Sequence, residues 1–170
     1  MKKLSLLFTA ALLWGSAARA QKIHTEFDEA ADFSKYKTFA IRDGRIRTKQ
    51  PALDNSLVEK KLKNALAAQL TAKGLQETSE RPDLNVTYLL GAVDRREVDV
   101  TRVGWRGRGV RRDVHRYTVG TLVIDLRDAS RRELVWRAVC TDTAGNAAKI
   151  QERIDKDVKK AFEKYPPKKK

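Results

Sequence analysis

Apolar residues recur along this chain with two periods, and the switches between them outline the fold. In LDNSLVEKKLKNALAAQLTAKG, Val58, Leu62, Leu66 and Leu70 return every four residues with Ala65 filling the stripe, so one face of a helix is apolar. Asp54 or Asn55 can cap its start, and Gly74 stands where a left-handed residue ends a helix. The period drops to two in LNVTYLLGAV, which puts Leu84, Val86, Tyr88, Leu90 and Ala92 on one face of a strand. Two further runs alternate in the same way. VGTLVIDL turns Leu122, Ile124 and Leu126 inward, and ELVWRAVCT turns Leu134, Trp136, Ala138 and Cys140 inward. The link over residues 127–132 is short and polar, which predicts an antiparallel hairpin.

The remaining segments are placed relative to these. YKTFAI, residues 36–41, predicts a first strand, and RDGRIRTKQP, with Gly44 and Pro51 as breakers, reads as a polar connector. DRREVDVTRV, residues 94–103, continues or pairs the strand before it, with Val98 and Val100 in step and Val103 out of step. At the end of the chain Ile150, Ile154, Val158 and Phe162 again recur every four residues, Tyr165 closes the stripe, and Asn146 can cap it. That helix must stop near Tyr165, because Pro166 and Pro167 cannot continue it. A helix with an apolar stripe needs a sheet to lie on. The expected fold is therefore α+β: an antiparallel-rich sheet with both amphipathic helices packed on one face, a two-layer sandwich.

The first twenty residues, MKKLSLLFTAALLWGSAARA, change the picture. Two lysines precede a short apolar run that ends on Ala18-Arg19-Ala20, the pattern of a secretory signal, and the run falls short of the ~20 residues that span a bilayer. The predicted domains are a signal peptide at 1–20 cleaved after Ala20, a single domain at 21–165, and a basic tail at 166–170. No cysteine stands at the cleavage point to accept a lipid, so a soluble periplasmic protein is expected. The chain carries a net charge of +14, and the first twenty residues hold three of its 36 basic residues and none of its 22 acidic ones. That balance favours anionic partners. Cys140 is the single cysteine, which excludes an intramolecular disulfide and every multi-cysteine metal motif.

Four segments together resemble a known family: DFSKYKTFA, PDLNVTYLLG, GTLVIDLRDASRRELVWRAVC and a terminal helix closing on YPP. They are similar to the bacterial envelope family of unknown function numbered 4136, whose members are typically exported and often lipid-anchored. The resemblance implies a compact α+β envelope domain with no established catalysis and no catalytic residues to carry over. The absence of a lipid-attachment cysteine is a departure from many members. Where relatives often carry a glycine- and aromatic-rich insertion before GTLVIDL, this chain is arginine-rich.

Candidate chemistry is sparse. His24 and His115 have no visible triad partners, and two distant histidines with one cysteine give no metal-ligand spacing. Asp28, Glu29 and Asp32, or Asp125 and Asp128, could pair for acid–base work, but turns and a solvated face explain them more simply. Trp136 and Cys140 share a strand face and read as core. No catalytic, cofactor-binding or metal-binding residue is expected, and the chain is read as not an enzyme.

What remains is RVGWRGRGVRRDVHRY, with Arg102, Arg106, Arg108, Arg111, Arg112 and Arg116 beside Trp105 and Tyr117. Arginine, glycine and aromatics suit single-stranded nucleic acid, but export removes that partner. Envelope anions suit the same guanidinium chemistry: anionic lipid, lipopolysaccharide phosphate or acidic polysaccharide. The segment is expected to be a glycine-hinged loop between two strands with an exposed tip. The alternative is a protein–protein or scaffold module that pairs an exposed sheet edge, such as residues 94–103, with another envelope protein.

Overall fold

The computed structural model describes residues 21–42, 44–104 and 109–168, so the signal peptide expected at 1–20 and the last two residues of the basic tail lie outside the described residues. β1 (Lys22–Phe27) is followed by a 3-10 turn at Phe33–Lys35, β2 (Thr38–Ile41), β3 (Arg45–Thr48) and α1 (Ser56–Ala72). Next come β4 (Gln76–Glu77), β5 (Leu84–Val103), β6 (Gly109–Asp128), β7 (Leu134–Ala144) and α2 (Ala147–Phe162). The strands form one seven-stranded sheet in the order β1-β7-β6-β5-β2-β4, with β3 also paired to β5.

The class is α+β, and the antiparallel-rich expectation holds in part: the long pairings are antiparallel, but the sheet is mixed. β1 with β7, β5 with β6 and β6 with β7 run antiparallel, whereas β2 and β3 lie parallel to β5, and β4 parallel to β2. The cause is the long α1 crossover: a chain that leaves β2, traverses a helix and returns to the same sheet naturally comes back parallel.

Both helices carry the predicted stripes. Val58, Leu62, Leu66 and Leu70 of α1 and Ile150, Ile154, Val158 and Phe162 of α2 are buried in one cluster with Leu84, Val86, Leu122, Ile124, Leu126 and Ala138 of the sheet. Asn55, rather than Asp54, caps α1 by accepting from the Val58 backbone N–H at 3.0 Å. Gly74 ends it at φ +88°, with its own N–H on Thr71 O at 2.9 Å and the Leu75 N–H on Leu70 O at 3.1 Å. Asn146 caps α2 through the Lys149 N–H at 3.0 Å. α2 ends three residues before Tyr165, whose ring instead joins Trp136, Phe162 and Phe33 at centroid distances of 5.6, 5.9 and 5.8 Å.

Three elements differ from the sequence reading. β1 is an edge strand whose Ile23, Thr25 and Phe27 stand opposite Cys140, Ala138 and Trp136. β3 lies within the expected connector, held to residues 89–92 of β5. The strand expected over residues 36–41 is β2 and begins at Thr38, after the 3-10 turn of Phe33, Ser34 and Lys35 capped by Asp32.

Candidate functional site: a two-stranded ribbon

β5 and β6 are each 20 residues long, and their length separates them into two parts. Over residues 84–92, β5 is flanked on its other side by β2 and β3; over residues 118–127, β6 is flanked by β7. Beyond Ala92 and Thr118 the two strands have, among the described residues, only each other. Ten cross-strand pairs run without a register shift from Asp94 opposite Thr118 to Val103 opposite Gly109. Gly104, at φ +88°, begins the turn at the far end.

Among the described residues, the glycine-hinged loop expected over residues 102–117 is strand at 102–103 and 109–117. Arg102 belongs to β5, and Arg111, Arg112, Arg116 and Tyr117 belong to β6. Trp105, Arg106 and Arg108 lie outside the described residues. The segment's polarity misled because neither face of the ribbon is buried. The strands continue on backbone hydrogen bonds and on a register set by the packed pairs from Leu84 opposite Asp128 to Ala92 opposite Gly120.

An unbroken register means that side chains keep the faces assigned at the base. Even-numbered positions continue the helix-covered face, which carries Leu90, Ala92, Thr118 and Leu122. On the ribbon that face holds Arg96 opposite Arg116, Val98 opposite Val114, Val100 opposite Arg112, and Arg102 opposite Val110. The odd face holds Arg95 opposite Tyr117, Glu97 opposite His115, Asp99 opposite Asp113, and Thr101 opposite Arg111. Ion pairs separate in the same way. Arg111 Nε lies 3.0 Å from Asp113, and His115 Nε2 lies 3.4 Å from Asp99. The four even-face arginines have no ion pair among the described residues.

At the base, Asp94 accepts from the Thr118 hydroxyl at 2.7 Å and from Gln50. There a cavity of about 440 Å³ is lined by Arg95, Arg96, Arg116 and Tyr117 together with Asp94, Gln50 and Asn146. Arg95 and Arg96 were not in the set drawn from the sequence. The available signal was the period of two through residues 94–103, which already tied their faces to those of Leu90 and Ala92.

The other candidates are engaged elsewhere. His24 is exposed beside Glu26 at 3.0 Å. Asp125, on the face away from Ile124, receives two 2.7 Å hydrogen bonds from Arg137. Asp128 accepts from the Ser130 hydroxyl at 2.7 Å, the Arg131 N–H at 2.9 Å and the Tyr36 hydroxyl at 3.1 Å, and these donors hold its carboxyl far below the usual range. It borders a cavity of about 480 Å³ shared with Asp83, which clamps the Lys37 and Thr38 backbone N–H groups at 2.8 and 2.9 Å. Both carboxylates thus hold turns. Cys140 is buried, and burial pushes its thiol up to about 12, so little thiolate exists at neutral pH. Among the described residues no cluster of three or more metal-ligating side chains is present, and no helix is long and apolar enough to cross a membrane.

A family described as Domain of unknown function (DUF4136) matches residues 23–167. The chain belongs to this family. No curated protein matches it. Among solved structures, a DUF4136 family protein from Bacteroides thetaiotaomicron is similar at TM-score 0.52 and 16% identity, covering 86% of this chain and 96% of that one. A PDZ domain protein from Parabacteroides distasonis gives TM-score 0.61 and 16% identity, over 88% of this chain. The chain spans only 37% of the length of that protein. The PelC dodecamer from Paraburkholderia phytofirmans gives TM-score 0.51 and 13% identity, over 84% and 95% of the two chains. At these identities the shared property is the fold.

Proposed function

We propose that this DUF4136 domain is an exported, non-catalytic envelope protein that binds an anionic surface through the ribbon formed by residues 94–118. The observation that carries the proposal is the set of arginines on one ribbon face with no acidic partner among the described residues, on a chain of net charge +14. An arginine with no internal partner keeps its donors for an external phosphate, sulfate or carboxylate. Tyr117 adds an aromatic edge at the ribbon's base, suited to a lipid or sugar interface. The signal-like first twenty residues place such anions within reach as lipids, lipopolysaccharide or acidic polysaccharide.

The test is sedimentation of the purified protein with vesicles containing phosphatidylglycerol, across a salt series. Binding should fall steeply with ionic strength, and should fall again when Arg102, Arg112 and Arg116 are replaced by glutamine. Salt-independent binding, or binding retained in that variant, contradicts the proposal.

A second reading is favoured by the open backbone edges of the ribbon. Outside its pairing with β6, the edge of residues 94–103 faces no strand among the described residues, and an extended partner could add there. The solved relative described as a dodecamer makes a second copy one such partner. Salt-insensitive self-association or capture of a single envelope protein is the outcome that reading expects.

A further inference from the structure

We infer that the even face of the ribbon, and not its arginines at large, is a docking face for an anionic phospholipid bilayer, with the valines between the arginines entering the interface. This rests on the anion-binding reading above and narrows it to one face and one class of surface.

The first support is the segregation of charge. Arg96, Arg102, Arg112 and Arg116 share the even face, and no carboxylate lies beyond Asp94 at its base. The odd face has Arg95 and Arg111 against Glu97, Asp99 and Asp113; Asp113 is in an ion pair with Arg111, and Asp99 lies 3.4 Å from the His115 ring. Two faces built from one short stretch of sequence thus have opposite electrostatic character. Arg96 and Arg116 stand directly opposite each other, an arrangement that repels unless an anion lies between them. A phosphate headgroup supplies that anion, and the 440 Å³ cavity beside them has room for it.

The second support is apolar. Val98, Val100, Val110 and Val114 are exposed by 45, 60, 59 and 44%, and all four lie on the arginine face. A hydrated polysaccharide offers them no phase to enter, whereas the acyl boundary beneath lipid headgroups does. The pattern of cationic groups interleaved with four valines on one face, and polar groups with the single valine Val103 on the other, is the strand counterpart of an interfacial amphipathic helix.

The rest of the molecule agrees in sign. The helices cover the same side of the sheet, and Lys60, Lys149, Lys156 and Lys159 are exposed on them against Glu152 and Asp155. Ten residues of strand reach about 33 Å, and every residue from Asp94 to Val103 is exposed.

Three double variants at exposed positions separate the possibilities. Arg96→Gln with Arg112→Gln alters the even face, Arg95→Gln with Arg111→Gln removes the same charge from the odd face, and Val98→Ser with Val114→Ser removes a cross-strand apolar pair. Each is measured against phosphatidylglycerol-containing vesicles and against dextran sulfate as a soluble polyanion, with the urea midpoint as the check on folding. The even-face arginine variant should lose about 30-fold in vesicle affinity and the odd-face variant less than about 3-fold. The valine variant should lose about 5-fold or more on vesicles and nothing on dextran sulfate. Equal losses from the two arginine variants, with salt-dependent binding intact, overturn the face assignment while leaving anion binding standing. A valine variant that binds vesicles as the parent does overturns the lipid assignment. Absence of any vesicle binding by the parent overturns both.

Discussion

Asp157 lies on the buried side of α2, where it takes a hydrogen bond from Gln21 and its backbone carbonyl lies 3.8 Å from Cys140 Sγ. Burial first, and the charge of Asp142 second, push its carboxyl up to about 7, against the opposing charges of Arg153, Lys160 and Lys156. The native state therefore keeps a proton that the unfolded chain, with an ordinary value of 3.8, releases at lower pH. This contribution to stability is complete below about pH 4 and is lost as pH rises towards about 7, at no more than ~1.4 kcal/mol per pH unit. Urea denaturation across that range should show the decline, and Asp157→Asn should flatten it. An unchanged slope in that variant would place the titrating group elsewhere. Nothing in the apolar periodicity marks this residue, because an aspartate one position before Val158 reads as the solvated flank of the stripe.

Among the elements, those with one buried face were legible and those without were not. The stripe from Val58 to Leu70, its glycine stop, the alternation from Leu84 to Ala92 and the hairpin through residues 127–132 all follow from the need to hide apolar side chains. β1 and β3 were missed because each is an edge strand with few inward residues; in RIRT only Ile46 packs against the core. Residues 94–103 were read as strand, but residues 102–117 were read as a loop, because both faces of the ribbon meet solvent and burial does not reinforce the periodicity there. The arginine cluster was visible in the sequence, but its division between two faces needed the register. One packing detail was equally hidden: a Cβ on Gly120 would stand 2.7 Å from Ile150 Cγ2, so α2 approaches β6 across that glycine. Gly120→Val should therefore cost about 1–3 kcal/mol by overpacking, and Ile150→Ala in the same chain should restore part of it. Additive losses in the urea midpoints of the single and double variants would contradict this contact.

For the whole molecule, the structure separates a packed body from a projecting arm. The body holds the buried side chains of both helices and the paired portions of the sheet; every residue from Asp94 to Val103 is exposed. The match to DUF4136 runs over residues 23–167 and so takes in both body and arm. On this account the arm carries the binding function and contributes little to stability. The direct measurement replaces residues 96–116 with Asn-Gly, closing the hairpin between Arg95 and Tyr117, which already stand opposite each other. The shortened protein should keep its far-UV spectrum, with Tm within about 5 °C of the parent, and lose about 100-fold or more in affinity for phosphatidylglycerol-containing vesicles. A folded, shortened protein that binds those vesicles as tightly as the parent would contradict the account.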